Sequence, residues 1–429
     1  MPHMIPRFSF LFSLLCGWLA SMSDAPAREG NFDESAVPPY TLPDPLKMED
    51  GTAVTTAEQW ITQRRPELLR LFEEHVYGAL PQADWTIQTE LLETKEDALD
   101  GQAIRRRVRI TLPAFPAFRG IEMLVYQPRT APAAPVFLGL SFGGNHAVST
   151  EPDLPISTAW MRPSKEKGVV ENHATEASRG TESSRWPFAE MVARGYAVAT
   201  AYCGDIEPDH ADGWKDGIRG AVMGSDHVWQ EGEWGCISAW AWGLSRMLDA
   251  LNDVPGVDAS RAAVVGHSRL GKTALWAGVT DERFGLVISN DSGEGGAALK
   301  YRDFGETPAI ITRAFPHWFT KTYTRYGPNP QQCPVDQHEL LALIAPRMLC
   351  VASATEDEWA DPRGEFLAAL AAEPVFVLLG RPGLEVTEMP APDRSVGSWV
   401  RYHLRTGPHN ITSWDWEQYS RAADALWKR

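Results

Sequence analysis

Apolar positions along the chain are spaced in three distinct ways, and each predicts a different kind of element. Between residues 56 and 77, Trp60, Ile61, Leu68, Leu69, Leu71, Phe72 and Val76 recur at helical spacing, which predicts an amphipathic helix. Residues 104–110 (Ile-Arg-Arg-Arg-Val-Arg-Ile) roughly alternate apolar with basic side chains, as a half-buried edge strand does. Residues 121–126 and 135–140 are continuously apolar, the mark of central strands. From residue 196 onward the order becomes strand, loop, helix. Strands are expected at 196–202, 262–265, 286–289, 348–353 and 400–404, with helices at 237–251, 270–278 and 414–427. Antiparallel-looking strands followed by alternating strands and helices predict an α/β protein, a three-layer αβα sandwich around a mostly parallel sheet. The polar stretch 144–185 reads as an insertion over one end of that sheet, and loops of this length are often functional. No linker interrupts the pattern, so residues 28–429 are expected to form a single domain.

Composition narrows the partners. The 429 residues carry 56 acidic and 40 basic side chains, a net charge of −16, which argues against nucleic acid. Seventeen tryptophans and ten tyrosines exceed what the core needs, and rings stacked on sugar faces are one use for such a surplus. At the N-terminus, Arg7 precedes the apolar run 8–20, and small residues follow to Ala25-Pro26-Ala27, the three regions of a secretory signal. Residues 1–27 are therefore expected to be a leader. The mature chain is expected to be secreted or periplasmic, monomeric and without a membrane segment. Leu15 before Cys16 disfavours lipid attachment there. Beyond the leader stand Cys203, Cys236, Cys333 and Cys350; none forms a C-x-x-C pair, so neither zinc nor redox chemistry is expected. Export permits disulfides among them, and buried thiols fit equally. No metal and no cofactor is expected.

The sharpest chemical signal lies in 262–272, Ala-Ala-Val-Val-Gly-His-Ser-Arg-Leu-Gly-Lys. An apolar strand runs through Gly266 into Ser268 and then into a helix. A serine on such a turn is pushed out toward the free N–H groups of the helix start, where negative charge is favoured. Leu270 stands where the usual G-x-S-x-G pattern has its second glycine, and Gly271 follows one place later. A serine hydroxyl needs a base. His409 follows the last strand in Thr406-Gly407-Pro408-His409-Asn410, a loop able to project an imidazole; His146, His317 and His338 are less well placed. The acid that orients the imidazole is either Asp357, after strand 348–353, or Asp291, after strand 286–289. Spacing leaves that choice open.

Residues 266–272 resemble the G-x-S-R-x-G-K signature of the glucuronoyl esterases, carbohydrate esterase family 15, which have the α/β-hydrolase fold. The likeness extends through 202–205, 289–299, 315–319, 336–347, 356–366 and 407–416. It implies hydrolysis of esters joining glucuronic or 4-O-methylglucuronic acid branches of glucuronoxylan to lignin alcohols. On that resemblance Ser268 attacks the uronate carbonyl, His409 relays the proton, and the Arg269 backbone N–H and guanidinium hold the oxyanion. Lys272, Glu306 and Trp359 would contact the sugar. Members of the family carry the acid in either of the two places, with Asp357 ranked slightly first here. Fungal members have cysteines where this chain has His267 and Pro408, so the resemblance is to the bacterial branch. The competing readings are an acetyl or feruloyl esterase acting on xylan, a glycan-binding protein on an inactive hydrolase scaffold, and a serine peptidase of the same fold.

Overall fold

The computed structural model describes residues 30–130 and 133–428. The expected leader, 1–27, lies outside the described residues. Ten strands build one mixed sheet: β1 (Gln88–Asp97), β2 (Ala103–Thr111), β3 (Ile121–Pro128), β4 (Ala134–Ser141), β5 (Ala197–Tyr202), β6 (Val257–His267), β7 (Phe284–Asn290), β8 (Met348–Ala354), β9 (Arg394–Val396) and β10 (Val400–Arg405). Their spatial order is β1-β2-β3-β5-β4-β6-β7-β8-β10-β9. The run from β5 to β10 is parallel, and the pairings at either end are antiparallel. This is the mostly parallel, α/β-hydrolase arrangement that the sequence pattern and the resemblance imply.

Side chains of the central strands alternate between two cores. Val136, Leu138 and Val264 face one, packed by the helical segment 57–77 and by helices α1 (Cys236–Leu251), α2 (Arg269–Thr280) and α3 (Pro362–Leu378). Phe137, Ala263 and Val265 face the other, closed by α4 (Ser413–Trp427). Strands buried on both faces need apolar residues at every position, which is why they read as unbroken hydrophobic runs. The chain crosses from β4 out to β5, then returns to place β6 on the other side of β4. Crevices at the carboxyl ends of strands flanking such a reversal are where open α/β sheets bind ligands.

Two expectations need correction. Residues 104–110 are not an edge strand: β2 lies between β1 and β3, and β1 forms the edge. The arginines misled because most are not turned to water: Arg105 and Arg106 are buried, Arg107 is half-buried and Arg109 is exposed. Arg105 is fully buried and reaches Glu93 at 2.6 Å, Glu151 at 2.7 Å and Asp153 at 2.9 Å. The helix at 57–77 exists, but two wide, π-type turns interrupt it at Trp60–Arg64 and Glu73–Tyr77. Pro66 offers no N–H at the first of these, and Arg65 bonds back five residues to the Trp60 carbonyl. The change of phase exposes Ile61 and buries Arg64 against Glu339, 2.7 Å away. The four described cysteines are buried free thiols.

Ahead of this helix, residues 31–34 are fastened to the loops that carry Arg302, Gly305 and Trp359. Asn31 accepts a hydrogen bond from the Gly305 N–H (2.8 Å), Phe32 stacks on Trp359 with ring centres 6.2 Å apart, and Glu34 pairs with Arg302 at 2.6 Å.

Candidate active site

Ser268 occupies the turn between β6 and α2 with φ 58° and ψ −131°, a conformation costly for a residue with a Cβ. Strain of this kind, about 1–3 kcal/mol, persists only where the surroundings impose it. Here the Ser268 N–H is held by the Asn290 carbonyl at 2.9 Å, at the end of β7. A Cβ on Gly266 would lie 1.8 Å from the Leu270 carbonyl oxygen, so only glycine permits so sharp a turn. The close approach thus falls at Gly266, whereas Leu270, in the place of the usual second glycine, is buried in the core.

His409 comes to this turn from the loop after β10. Its ring centre lies 4.4 Å from that of His267, the residue before Ser268. His267 is buried, bonds Asn290 through Nδ1 at 2.7 Å, and is driven well below its ordinary pKa by burial and then by the neighbouring His409. The His409 loop is tied at several points. Arg405, unremarked in the sequence, donates to the carbonyls of Thr406, Pro408 and Asn410 at 3.0, 2.8 and 2.9 Å. Glu356 N–H bonds the Gly407 carbonyl at 3.0 Å, and Arg185, from the insertion, bonds the Asn410 side chain at 2.8 Å.

The two carboxylates that spacing could not separate occupy different positions. Asp357 Oδ2 lies 2.5 Å from His409 Nδ1, with Asp357 5% and His409 40% exposed. Asp291 Oδ2 instead accepts the backbone N–H of Asn410 at 3.1 Å and stands 3.8 Å from Arg405. Burial, followed by the charges of Glu365 and Asp357, pushes the Asp291 carboxyl well above the usual carboxylate range. Oxygen and nitrogen atoms of Asp291, Asp357 and His409 lie within 4.8 Å of one another, a spacing that could hold a metal ion. The contacts just given account for that closeness without one.

Two charged walls rise from the first turn of α2. On one, the Arg269 guanidinium lies 4.6 Å over the Phe142 ring, and its Nε is 3.0 Å from Asp209 Oδ2. On the other, Lys272 is buried, donates from Nζ to the Ser292 carbonyl at 2.5 Å and faces Glu306 at 3.8 Å. Burial lowers the Lys272 ammonium and raises the Glu306 carboxyl, each partly offset by the other. The Trp359 side chain hydrogen-bonds Glu306, and the Glu306 N–H bonds the Trp359 carbonyl at 3.0 Å. Ser268, Arg269, Lys272, Glu306, Trp359, His409 and Asp357 are therefore linked through one neighbourhood, with Asp291 behind the His409 loop. Sequence reasoning missed Asp209, Arg405 and Arg185. Asp209 stands four residues beyond the 202–205 motif, and His317, its partner, lies within the 315–319 segment of the resemblance.

The arrangement offers a serine on a strained turn, an imidazole paired with a carboxylate, and helix-start N–H groups beside a guanidinium that faces Asp209. These are the parts needed for acyl transfer through a covalent intermediate. Similarity to known proteins points the same way. A family profile described as "Glucuronyl esterase, fungi" matches residues 226–380. The chain is 46% identical over 405 residues to carbohydrate esterase MZ0003 of an unknown prokaryotic organism, covering 93% of each. It is 29% identical to 4-O-methyl-glucuronoyl methylesterase 1 of Wolfiporia cocos, covering 88% of this chain and 82% of that one. The solved glucuronoyl esterase from Solibacter usitatus superposes with a TM-score of 0.86 at 44% identity, covering 92% of this chain and all of the other.

Proposed function

This chain belongs to the glucuronoyl esterases of carbohydrate esterase family 15, and from that premise we propose that it cleaves esters of glucuronic or 4-O-methylglucuronic acid on xylan with lignin alcohols. It is a carboxylic ester hydrolase. The observation that carries the mechanistic reading is the 2.5 Å contact between His409 Nδ1 and Asp357, beside the strained turn that bears Ser268.

In this reading His409 Nε2 takes the Ser268 proton as Oγ attacks the uronate carbonyl. Asp357 holds the Nδ1–H tautomer and balances the imidazolium that forms. The backbone N–H of Arg269, at the positive end of α2, and the Arg269 guanidinium receive the charge that develops on the carbonyl oxygen. His409 then returns its proton to the departing alcohol, leaving the uronate esterified to Ser268. Water, deprotonated by His409, attacks that ester, and the Ser268 oxygen recovers a proton as the free uronic acid leaves. Lys272 and Glu306 present a donor and an acceptor at the sugar hydroxyls, and Trp359 provides a ring beside them. In this reading Asp291 secures the loop rather than the imidazole, its buried Oδ2 accepting the Asn410 N–H. None of these steps calls for a metal.

The same reading takes the protein to be exported, single-domain and monomeric. No helix of the described residues is long and apolar enough to cross a membrane. The test is a direct comparison of benzyl glucuronate with an aryl acetate on the purified protein, with Ser268→Ala as control. Preference for the uronate, lost in the control, is expected. Preference for the acetate would replace this reading with an acetyl esterase, and persistence of either activity in the control would remove Ser268 from the mechanism.

A further inference from the structure

We propose that Asp209 is a positioning residue for the reaction, a buried carboxylate that fixes the Arg269 guanidinium in the place where it meets the oxyanion. The inference rests on the reading of Arg269 given above.

Asp209 is 5% exposed and uses its two oxygens differently. Oδ1 accepts from His317 Nε2 at 2.9 Å and from the Trp318 indole N–H at 2.8 Å, whereas Oδ2 faces Arg269 Nε at 3.0 Å. Both donors on Oδ1 are held by the backbone, because the His317 and Trp318 carbonyls accept the Cys236 and Ile237 N–H groups at the start of α1, at 2.8 and 3.1 Å. From the other side the Glu207 carbonyl accepts the Trp240 indole N–H at 2.9 Å, and Arg162 donates to the Asp209 carbonyl at 3.1 Å. The carboxylate thus has little freedom to move. Burial alone would raise its pKa, but Arg269 and the hydrogen bonds from His317 and Trp318 outweigh burial and hold it below the usual carboxylate range.

An arginine can reach an oxyanion in many rotamers, and ordering so long a side chain at the moment of reaction costs conformational entropy. The 3.0 Å ion pair at Nε is a charge contact rather than an aligned hydrogen bond; it draws the guanidinium toward Asp209 at its base and leaves the two terminal amino groups for the substrate. Phe142 below and Trp318 at 5.8 Å confine the plane of the guanidinium. A carboxylate so near the oxyanion also opposes it electrostatically. The two donors on Oδ1 absorb part of that charge, so the net gain is preorganisation of the cation.

The decisive experiment is a double-mutant cycle on the full chain with methyl and benzyl glucuronate, using Asp209→Asn, Arg269→Ala and the pair. Asparagine can still accept from His317 and Trp318 while turning an NH2 group toward Arg269, which removes the restraint alone. Asp209→Asn is expected to lower kcat about 10–10²-fold with KM within about twofold and the pH profile of kcat/KM unmoved, because His409 is untouched. In the Arg269→Ala background the same change should have no further effect, and Asp209→Glu should recover part of the single-variant loss. An unchanged kcat in Asp209→Asn, or an equal loss with and without Arg269, overturns the proposal and leaves Asp209 a structural residue. A wild-type kcat in Arg269→Ala alone overturns the oxyanion reading on which it stands. Should Asp209→Asn not fold, Asp209→Glu in both backgrounds makes the same test, since the added methylene displaces the carboxylate.

Discussion

The arginine wall and the lysine wall of the site start from the same helical turn, yet they handle charge in opposite ways. Arg269 carries a charge that water and burial do not remove, and it faces Asp209, whose pKa is depressed. Lys272 and Glu306 are held 3.8 Å apart in a buried pocket that drives both toward their neutral forms. Glu294 and Glu365 beside them are pushed up by burial, to about 8 and about 7. A permanent, anchored cation suits a charge that appears only in the transition state. Groups whose protons can shift suit sugar hydroxyls, which both donate and accept. One wall is expected to govern kcat and the other KM.

The comparison breaks most visibly if the carboxylates around His409 are interchangeable. Asp357→Asn is expected to cut kcat by about 10³–10⁴-fold, because an amide no longer fixes the tautomer. Asp291→Asn should cost less than about tenfold, because only a loop contact is lost; equal losses in stopped-flow acylation would show that both serve the imidazole. Arg269→Ala is expected to lower kcat on the order of 10²–10³-fold with KM little changed, and a pure KM effect would erase the contrast between the walls. Lys272→Met should raise KM for methyl glucuronate about tenfold while kcat stays within about threefold, as measured by initial rates.

The smallest effect concerns stability. Glu365, raised from 4.5 to about 7, remains protonated in the folded chain where the unfolded chain has already lost that proton. The contribution of Glu365 to stability therefore falls as pH rises from about 4.5 toward 7. Glu365→Gln, which can still accept the Ser292 and Gly293 N–H groups, should flatten that fall by on the order of 2 °C in Tm between pH 5 and 8. Asp209 has the opposite sign: its contribution is complete above the unfolded value near 3.8 and disappears only as acid passes its depressed folded value.

How much of this was legible in the sequence varied with how local the cause was. The turn at Gly266 and Ser268 and the central strands β4 to β8 follow from short-range rules, a steric demand for glycine and burial on both faces, and they could be read directly. Edge strand β1 could not. Its residues Gln-Thr-Glu-Leu-Leu-Glu-Thr-Lys-Glu-Asp show no strand-like alternation, and what ties it to its neighbour, the β1–β2 ladder and the Arg105–Glu93 pair, lies outside its own pattern. The different surroundings of Asp357 and Asp291 depend on which oxygen meets a side chain and which a backbone N–H, 52 and 119 residues away, a difference spacing does not encode. Asp209 was hidden for the same reason. Its importance comes from His317, Trp318 and Arg269, all more than 50 positions further along the chain.

Residues 31–34 pack against the wall that the proposed function assigns to the sugar: Phe32 lies against Trp359, and Asn31 and Glu34 fasten the segment beside it. An affinity tag, a fused carbohydrate-binding module or a protease cut in the low thirties would therefore reach the pocket through Trp359 and be recorded as altered substrate preference. The opposite terminus, on α4 behind the second core, is the safer point of attachment.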